Sequence, residues 1–516
     1  MKSRTRTKNS LINSSLALIS YAILFLGPFF VSPFLESHLG GEFLGIQKTL
    51  VDTVALLSIV ELGISYGIIY KLYGPIAEKD TKKIAILLNF YKNAFKVVAG
   101  IVLVFGIILT FLMPRIFSKN HHMSSVSNTY LCFTFLLYVL DTLLTYLFGH
   151  KRAMLIADQR NYVLTVCRTS CQLLMFIFQI LSIYFLKSFL VYVIIKVFFT
   201  FLESMLINWQ YNKRYVNYID LKTKEKLSKI EKKDLFKNLN ALFYHKIGYQ
   251  SLISGSTLIM TKKLGKVVTG IYYPYTLITN GLISVITQVF NAILSSFGNF
   301  LSSNTREKVY DMYKKIYFLN HLVFSFFTVS FVCLIKPFIH LWMGQDFILP
   351  MRTILLITAN FYLLGMRQAI TMVKSSVGLY RPDKHFAIIE AVLNLSLAWI
   401  LVTPYGIDGI LAANLISTIL VPFWVQPYVV YENVLKEPVK NYYKRFTIYL
   451  AVALLQGFVT YYLCGLFPEN NVFLKLIINA IICLIVPNVI NLVLFCKSRE
   501  LKYLMNVGKN LFFKKR

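Results

Sequence analysis

Long apolar runs dominate the chain, separated by short polar stretches rich in lysine and arginine. None alternates with a period of two, so the runs predict helices rather than strands. Read at roughly 20 apolar residues per membrane crossing, they predict fourteen transmembrane helices, over 11–35, 44–72, 83–112, 126–148, 161–186, 188–210, 239–262, 266–297, 314–339, 347–374, 384–403, 407–435, 445–466 and 471–496. With the N-terminus placed in the cytoplasm and the segments alternating, the cytoplasmic segments and their borders carry 38 Lys/Arg and the external ones 9. That is the asymmetry of the positive-inside rule, and it puts both termini in the cytoplasm. The expected fold is an all-α integral membrane protein.

The polar segment after the sixth helix, 211–238, is the longest. Lys222, Lys224, Lys226, Lys229, Lys232, Lys233 and Lys237 alternate there with Leu227, Ile230 and Leu235. This suits a helix on the anionic inner leaflet, or a solvated linker. The tail 497–516, with Leu501, Leu504, Met505, Leu511 and Phe512, reads the same way. The basic start Lys2, Arg4, Arg6, Lys8 precedes an apolar run too long for a signal peptide, so helix 1 is expected to be kept. Gly27-Pro28 and Pro33 are expected to break helix 1, and Pro422 and Pro427 helix 12.

An internal repeat carries Leu39-Gly40-Gly41-Glu42-Phe43-Leu44-Gly45-Ile46 onto Leu264-Gly265-Lys266-Val267-Val268-Thr269-Gly270-Ile271. The same offset of 225 carries Asp158 onto Asp383. An even number of helices per repeat gives two lobes of equal orientation: an N-lobe over 1–210 and a C-lobe over 239–435, with the two helices of 436–496 outside the repeat.

Composition narrows the class. Of 516 residues, 56% are hydrophobic and only 15% charged, which excludes a soluble enzyme, a disordered chain and a disulfide scaffold. The net charge of +31 would suggest nucleic acid in a soluble protein, but cationic cytoplasmic loops account for it here. The seven cysteines, Cys132, Cys167, Cys171, Cys333, Cys464, Cys483 and Cys496, lie in or beside apolar runs and read as small core hydrophobes. No phosphate-binding loop, zinc motif or nucleophile elbow is present, and no cofactor is expected.

The remaining chemistry lies at membrane depth, where a charge costs about 2.5–3.5 kcal/mol and is usually functional. Lys246, Arg168 and Arg367 each lie seven residues from the cytoplasmic end of a predicted helix, about 10 Å deep at 1.5 Å per residue. Lys92 lies slightly deeper. Together with Lys48 and His245 they are the candidate ligands of an anionic head group, phosphates being natural partners of Arg and Lys. Snorkelling to the headgroups is the competing reading. Glu61 and Glu390, with no cation one turn away, are candidates for a proton or sodium site. Asp52 is a third candidate, although it stands four residues after Lys48, the spacing of an internal ion pair.

The stretches Leu57-Ser58-Ile59-Val60-Glu61-Leu62-Gly63, His245-Lys246-Ile247-Gly248, Gly270-Ile271-Tyr272, Gly378-Leu379-Tyr380-Arg381-Pro382-Asp383-Lys384 and Ile389-Glu390-Ala391-Val392-Leu393-Asn394-Leu395 resemble the multidrug/oligosaccharidyl-lipid/polysaccharide flippase superfamily. Within it the chain resembles the Wzx-type flippases most. The resemblance implies two MATE-like six-helix lobes and export of polyprenyl-pyrophosphate-linked oligosaccharides for capsule, O-antigen or exopolysaccharide. It implies membrane lipids and polysaccharide polymerase machinery as partners. Many relatives carry an acidic residue in the middle of helix 7, where this chain has Ser254-Gly255-Ser256-Thr257. The alternatives are a peptidoglycan-precursor flippase, a multidrug cation exporter, and a membrane polysaccharide polymerase or ligase. The short external loops weigh against the last.

Overall fold

The structure is a computed structural model that describes residues 6–117, 126–221, 223, 225–467 and 470–513. Lys222 and Lys224 lie outside the described residues, as do the start Met1 to Thr5 and the side chains of Ile230, Lys232, Lys233, Leu235 and Lys237. The described residues are helices joined by turns and short irregular connections, with no strand. They form two compact units, Met1–Tyr273 and Pro274–Arg516.

Unit 1 contains α1 (Arg6–Leu39), α2 (Gly41–Leu57), α3 (Ile59–Glu78), α4 (Thr81–Ile116), α5 (Asn128–Leu147), α6 (Gly149–Ala157), α7 (Asn161–Leu186), α8 (Phe189–Tyr215), α9 (Lys229–Leu264) and the first turns of α10 (Lys266–Ser303). Unit 2 contains the rest of α10, then α11 (Arg306–Met343), α12 (Met351–Met366), α13 (Gln368–Ser376), α14 (Lys384–Tyr405), α15 (Ile407–Leu420), α16 (Pro422–Val430), α17 (Lys440–Gly465), α18 (Val472–Phe495) and α19 (Arg499–Phe513).

Eleven of the described helical stretches are long and apolar enough to cross a membrane. All eleven coincide with predicted spans. The other three predicted spans fall on α1, on α2 and α3, and on α9. The break at Ser58 splits 44–72 into two shorter helices. α9 begins ten residues before the expected span, because Ser228 and Glu231 form a reciprocal capping box that satisfies the first free amides. The polar stretch from Lys229 onward is therefore the opening of α9 rather than a separate surface helix.

Proline acts differently at the two sites expected to break. α1 runs through Pro28 and Pro33 as one helix, correcting the expected break. The Ser32 hydroxyl donates to the Pro28 carbonyl at 2.7 Å. At the second site, α15 stops at Leu420 and α16 starts on Pro422, while Pro427 lies inside α16. Two connections, α1–α2 and α9–α10, are single glycines in the same left-handed conformation, Gly40 (φ 96°) and Gly265 (φ 93°), which a side chain would strain. Their 225-residue offset is that of the sequence repeat. The repeat also shows in two nine-residue helices, α6 and α13, each following a long helix after a single-residue break.

In unit 1, α7 packs on α1 and α8, α5 on α4 and α8, and α9 on α2 and α3. The core of this unit gathers Leu72, Leu88, Phe95, Tyr146, Leu155 and Tyr211. In unit 2, α11 packs on α12, α17 and α18 around Phe290, Phe324, Phe361 and Met366. A tyrosine stack runs through that core, with Tyr313 and Tyr317 at 5.8 Å and Tyr317 and Tyr442 at 5.3 Å between ring centroids. α19 seats Leu501 and Leu504 in the same core, and Arg445 holds Glu500 at 3.0 Å. Leu501 and Leu504 of the tail thus pack on protein, while Met505 is exposed and the side chains of Leu511 and Phe512 lie outside the described residues. Large apolar side chains such as Phe105, Ile108 and Phe111 are exposed on α4, as lipid-facing positions are.

Candidate functional site

A cavity of about 290 Å³ lies within unit 1 between α1, α2, α5, α7, α8 and the first turns of α10. One face of α7 supplies Arg168, Gln172, Phe176 and Gln179, spaced by one turn so that they share a side. The opposite face carries Leu173, Leu174, Ile177 and Leu181, all exposed. The strip is polar toward the cavity and apolar outward, and its period predetermines both. Gln47, Tyr138, Tyr192, Lys196 and Tyr273 complete the polar lining.

These groups are held by one another. The Gln47 amide donates to the Tyr192 hydroxyl at 2.8 Å, and the Gln179 amide to the Tyr192 carbonyl at 3.2 Å. Lys196 donates to Asp141 at 2.5 Å and lies 4.6 Å from the centre of the Tyr138 ring. Asp141 neutralises Lys196, while no described carboxylate forms an ion pair with Arg168, which is exposed. The cavity therefore carries a net positive charge, with amides and aromatic rings beside it. Such a lining can accept an anion through the guanidinium and present amides and rings to sugar hydroxyls.

Of the predicted ligands, only Arg168 lines this cavity. Lys48 is buried and paired with Asp52 at 2.5 Å along α2. Lys92 is half-buried on α4, within electrostatic reach of His150 and Lys151. Lys246 is exposed and His245 half-buried on α9. Arg367 lies in unit 2 between α12 and α13, and its Nε and Nη1 are buried without hydrogen-bond partners. Glu61 has no cation within one turn on its own helix, but it hydrogen-bonds Tyr146 and feels Arg152. Arg152 itself pairs with Glu203 at 3.1 Å. Glu390 on α14 accepts from Thr418 at 3.3 Å. The sequence reading assigned no role to Gln47, Gln172, Gln179, Tyr138, Tyr192 or Tyr273. The four-, four- and three-residue spacing of Arg168, Gln172, Phe176 and Gln179 was the available signal.

A second polar seam joins α2 to α9 and α10. Gly45 and Gly270 form its apex: a Cβ on Gly45 would stand 1.8 Å from the Lys266 carbonyl oxygen, and one on Gly270 would stand 2.1 Å from that of Gly41. The pairs 41/266 and 45/270 are equivalent under the 225-residue offset, so the contact is a local two-fold. Lys266 reaches Glu42 at 2.9 Å, and the hydroxyls of Thr49 and Thr261 are 2.7 Å apart. Thr261 and Thr269 follow at 3.0 Å.

These features define a polytopic membrane protein with a cationic, amide-lined cavity. Among solved structures the chain is similar to a lipid II flippase, MurJ, in an inward closed conformation: TM-score 0.67, 14% identity, 94% of this chain and 99% of that one covered. It is similar to an inward-facing multidrug-resistance MATE transporter of the MOP superfamily, at TM-score 0.53 and 14% identity, covering 83% and 98%. It is also similar to the MATE transporter VcmN of Vibrio cholerae, at TM-score 0.53 and 12% identity, covering 84% and 99%. No family profile and no curated protein matches the chain by sequence. At these identities the likeness shows the fold alone, one shared with the structures just named, and with the eleven apolar helices it makes the chain a multi-pass membrane protein.

Proposed function

We propose that this chain is a flippase that moves a polyprenyl-pyrophosphate-linked oligosaccharide across the cytoplasmic membrane for capsule, O-antigen or exopolysaccharide. The observation that carries the reading is the unit 1 cavity: Arg168 with no carboxylate partner among the described residues, flanked by glutamines and tyrosines. A pyrophosphate suits the guanidinium and sugars suit the amides and rings, while the lipid tail stays in the bilayer. The proposed organisation is fourteen spans with both termini cytoplasmic and two six-helix lobes, 1–210 and 239–435. Movement is by alternating access. Lys246, Arg367 and Lys92 serve the head group as further cations, with His245 as a hydrogen-bonding side chain beside Lys246, and Glu61 and Glu390 serve ion coupling. Lys48 and Asp52, paired with each other, act together in holding α2. Outward movement of the anion runs with a potential negative inside, worth about 2.3 kcal/mol per charge per 100 mV.

One observation favours a second reading, a peptidoglycan-precursor flippase. The similarity to the lipid II flippase extends over 94% of the chain at a TM-score of 0.67. Both substrates carry a pyrophosphate, so the sugars decide. In proteoliposomes, the chain is expected to flip a lipid-linked repeat unit in preference to lipid II. Arg168→Gln is expected to lower the rate at least tenfold, with Arg168→Lys in between because charge is kept and the planar fork lost. An unchanged rate in Arg168→Gln would refute the assignment of the cavity, and a preference for lipid II would select the second reading.

A further inference from the structure

Three cysteines in unit 2 have no part in the transport described. Cys333 lies on α11, Cys464 is the penultimate residue of α17, and Cys483 lies on α18. All three are buried, and their Sγ atoms lie within 4.8 Å of one another. The three helices pack pairwise, so each contributes one thiol to a single point, walled by Val329, Leu334 and Ile482.

Two polar side chains stand one turn from these thiols. Thr460, one turn before Cys464, is fully buried, and its hydroxyl has no hydrogen-bond partner among the described residues. Asn479, one turn before Cys483, is 4% exposed. Its Nδ2 donates to the Cys333 carbonyl at 3.4 Å, while its Oδ1 has no partner. Buried polar atoms are rarely left unpaired, and both stand on the turns that carry the thiols.

We propose that Cys333, Cys464 and Cys483 form a three-coordinate site for one soft monovalent cation of the copper(I) class. Soft thiolates select such ions, whereas zinc favours a fourth ligand. Among the described residues no histidine or carboxylate joins the three sulfurs. Metal–sulfur bonds of about 2.3 Å place trigonal sulfurs about 4 Å apart, so closing the site takes a shift of under about 1 Å. Charge favours a monovalent ion. One cation that displaces one thiol proton, M⁺ + 3 RSH → M(SR)(HSR)₂ + H⁺, leaves the site neutral in a medium where net charge is costly. The released proton passes to water. The Thr460 hydroxyl can donate to the thiolate, and the Asn479 carbonyl can accept from a remaining S–H. The site ties α11, α17 and α18 together.

The test uses the full chain in detergent with a phosphine reductant, titrated with silver(I) as a redox-inert probe and with copper(I) buffered by a chelator. In a chain carrying Ser at Cys132, Cys167, Cys171 and Cys496, one equivalent per chain is expected to survive gel filtration. Copper-edge X-ray absorption of the copper(I) form is expected to show three sulfurs at about 2.3 Å. Each of Cys333→Ser, Cys464→Ser and Cys483→Ser is expected to weaken binding at least tenfold. Should those variants fail to fold, mass spectrometry of the unsubstituted chain reads the same point: bound silver is expected to protect Cys333, Cys464 and Cys483 from maleimide while Cys496, which is exposed, is labelled. Retention equal to that of a chain lacking all three thiols, two-coordinate absorption, or protection spread evenly over the cysteines would overturn the proposal.

Discussion

The contact at Gly45 and Gly270 sets a measurable limit on how close α2 and α10 must lie. Gly270→Ala places a carbon 2.1 Å from the Gly41 carbonyl oxygen, where ordinary contact begins near 3.4 Å. The helices must part there by about 1.3 Å, and for Gly45→Ala by about 1.6 Å. Separation of that size takes the Glu42–Lys266 pair at 2.9 Å beyond hydrogen-bond distance, and with it the Thr49–Thr261 pair at 2.7 Å, because Thr261 lies on α9 four residues before the Gly265 joint that carries α10. Overpacking costs about 1–3 kcal/mol and each lost polar contact about 0.5–1.5 kcal/mol, together about 2–6 kcal/mol per substitution. Thermal unfolding of the purified chain in detergent reads this as a fall in Tm of several degrees with helicity retained. A Thr49→Cys/Thr261→Cys pair supplies the geometric readout: oxidation is expected to cross-link it quickly in the parent and at least tenfold more slowly with Gly270→Ala. A Tm within 1 °C of the parent, together with undiminished cross-linking, would refute the close approach.

Two further outcomes follow from buried charge. Lys374 and Asp383 pair at 4% and 2% side-chain exposure, so Asp383→Asn, which strands a buried ammonium, is expected to cost about 3–5 kcal/mol. Lys374→Met with Asp383→Leu is expected to recover most of that loss in the same melting assay. His150, in the loop helix α6, is pushed down to about 4 by burial, with the charges of Lys151 and Lys92 adding to it. Its folded value lies below the unfolded one, so the stability it contributes is present above about 6.5 and is lost as pH falls toward 4. The Tm of His150→Gln is expected to fall less than the parent's between pH 7.5 and 5. A parallel fall in both would show that other groups govern the acid side.

The helices were legible because membrane helices are long and apolar: each predicted span from 83–112 to 188–210 and from 266–297 to 471–496 falls on a described helical stretch. The internal repeat was legible through its glycines, whose positions are dictated by backbone conformation at 40 and 265 and by contact at 45 and 270. The cavity was only partly legible. A charge in an apolar run stands out, so Arg168 was found, but glutamine and tyrosine look ordinary until a helix face is chosen. Lys196 stood out as a charge, yet its partner Asp141 is 55 residues away on another helix, a pairing that spacing cannot reveal. Cys333, Cys464 and Cys483 read correctly as buried one by one; that they meet depends on how α11, α17 and α18 pack.

The two-fold at the α2–α10 crossing has a mechanical consequence. Sliding either helix along its axis drives one glycine off its facing carbonyl and the other into its neighbour, so translation is opposed in both directions. Turning the helices about the dyad displaces both contacts by the same amount, so neither is driven into its neighbour while the other opens. The crossing is therefore stiff to sliding and soft to scissoring, which makes it a pivot rather than a latch, with Glu42–Lys266 at the crossing and Thr49–Thr261 on the adjoining α9 bounding the arc through which it can swing.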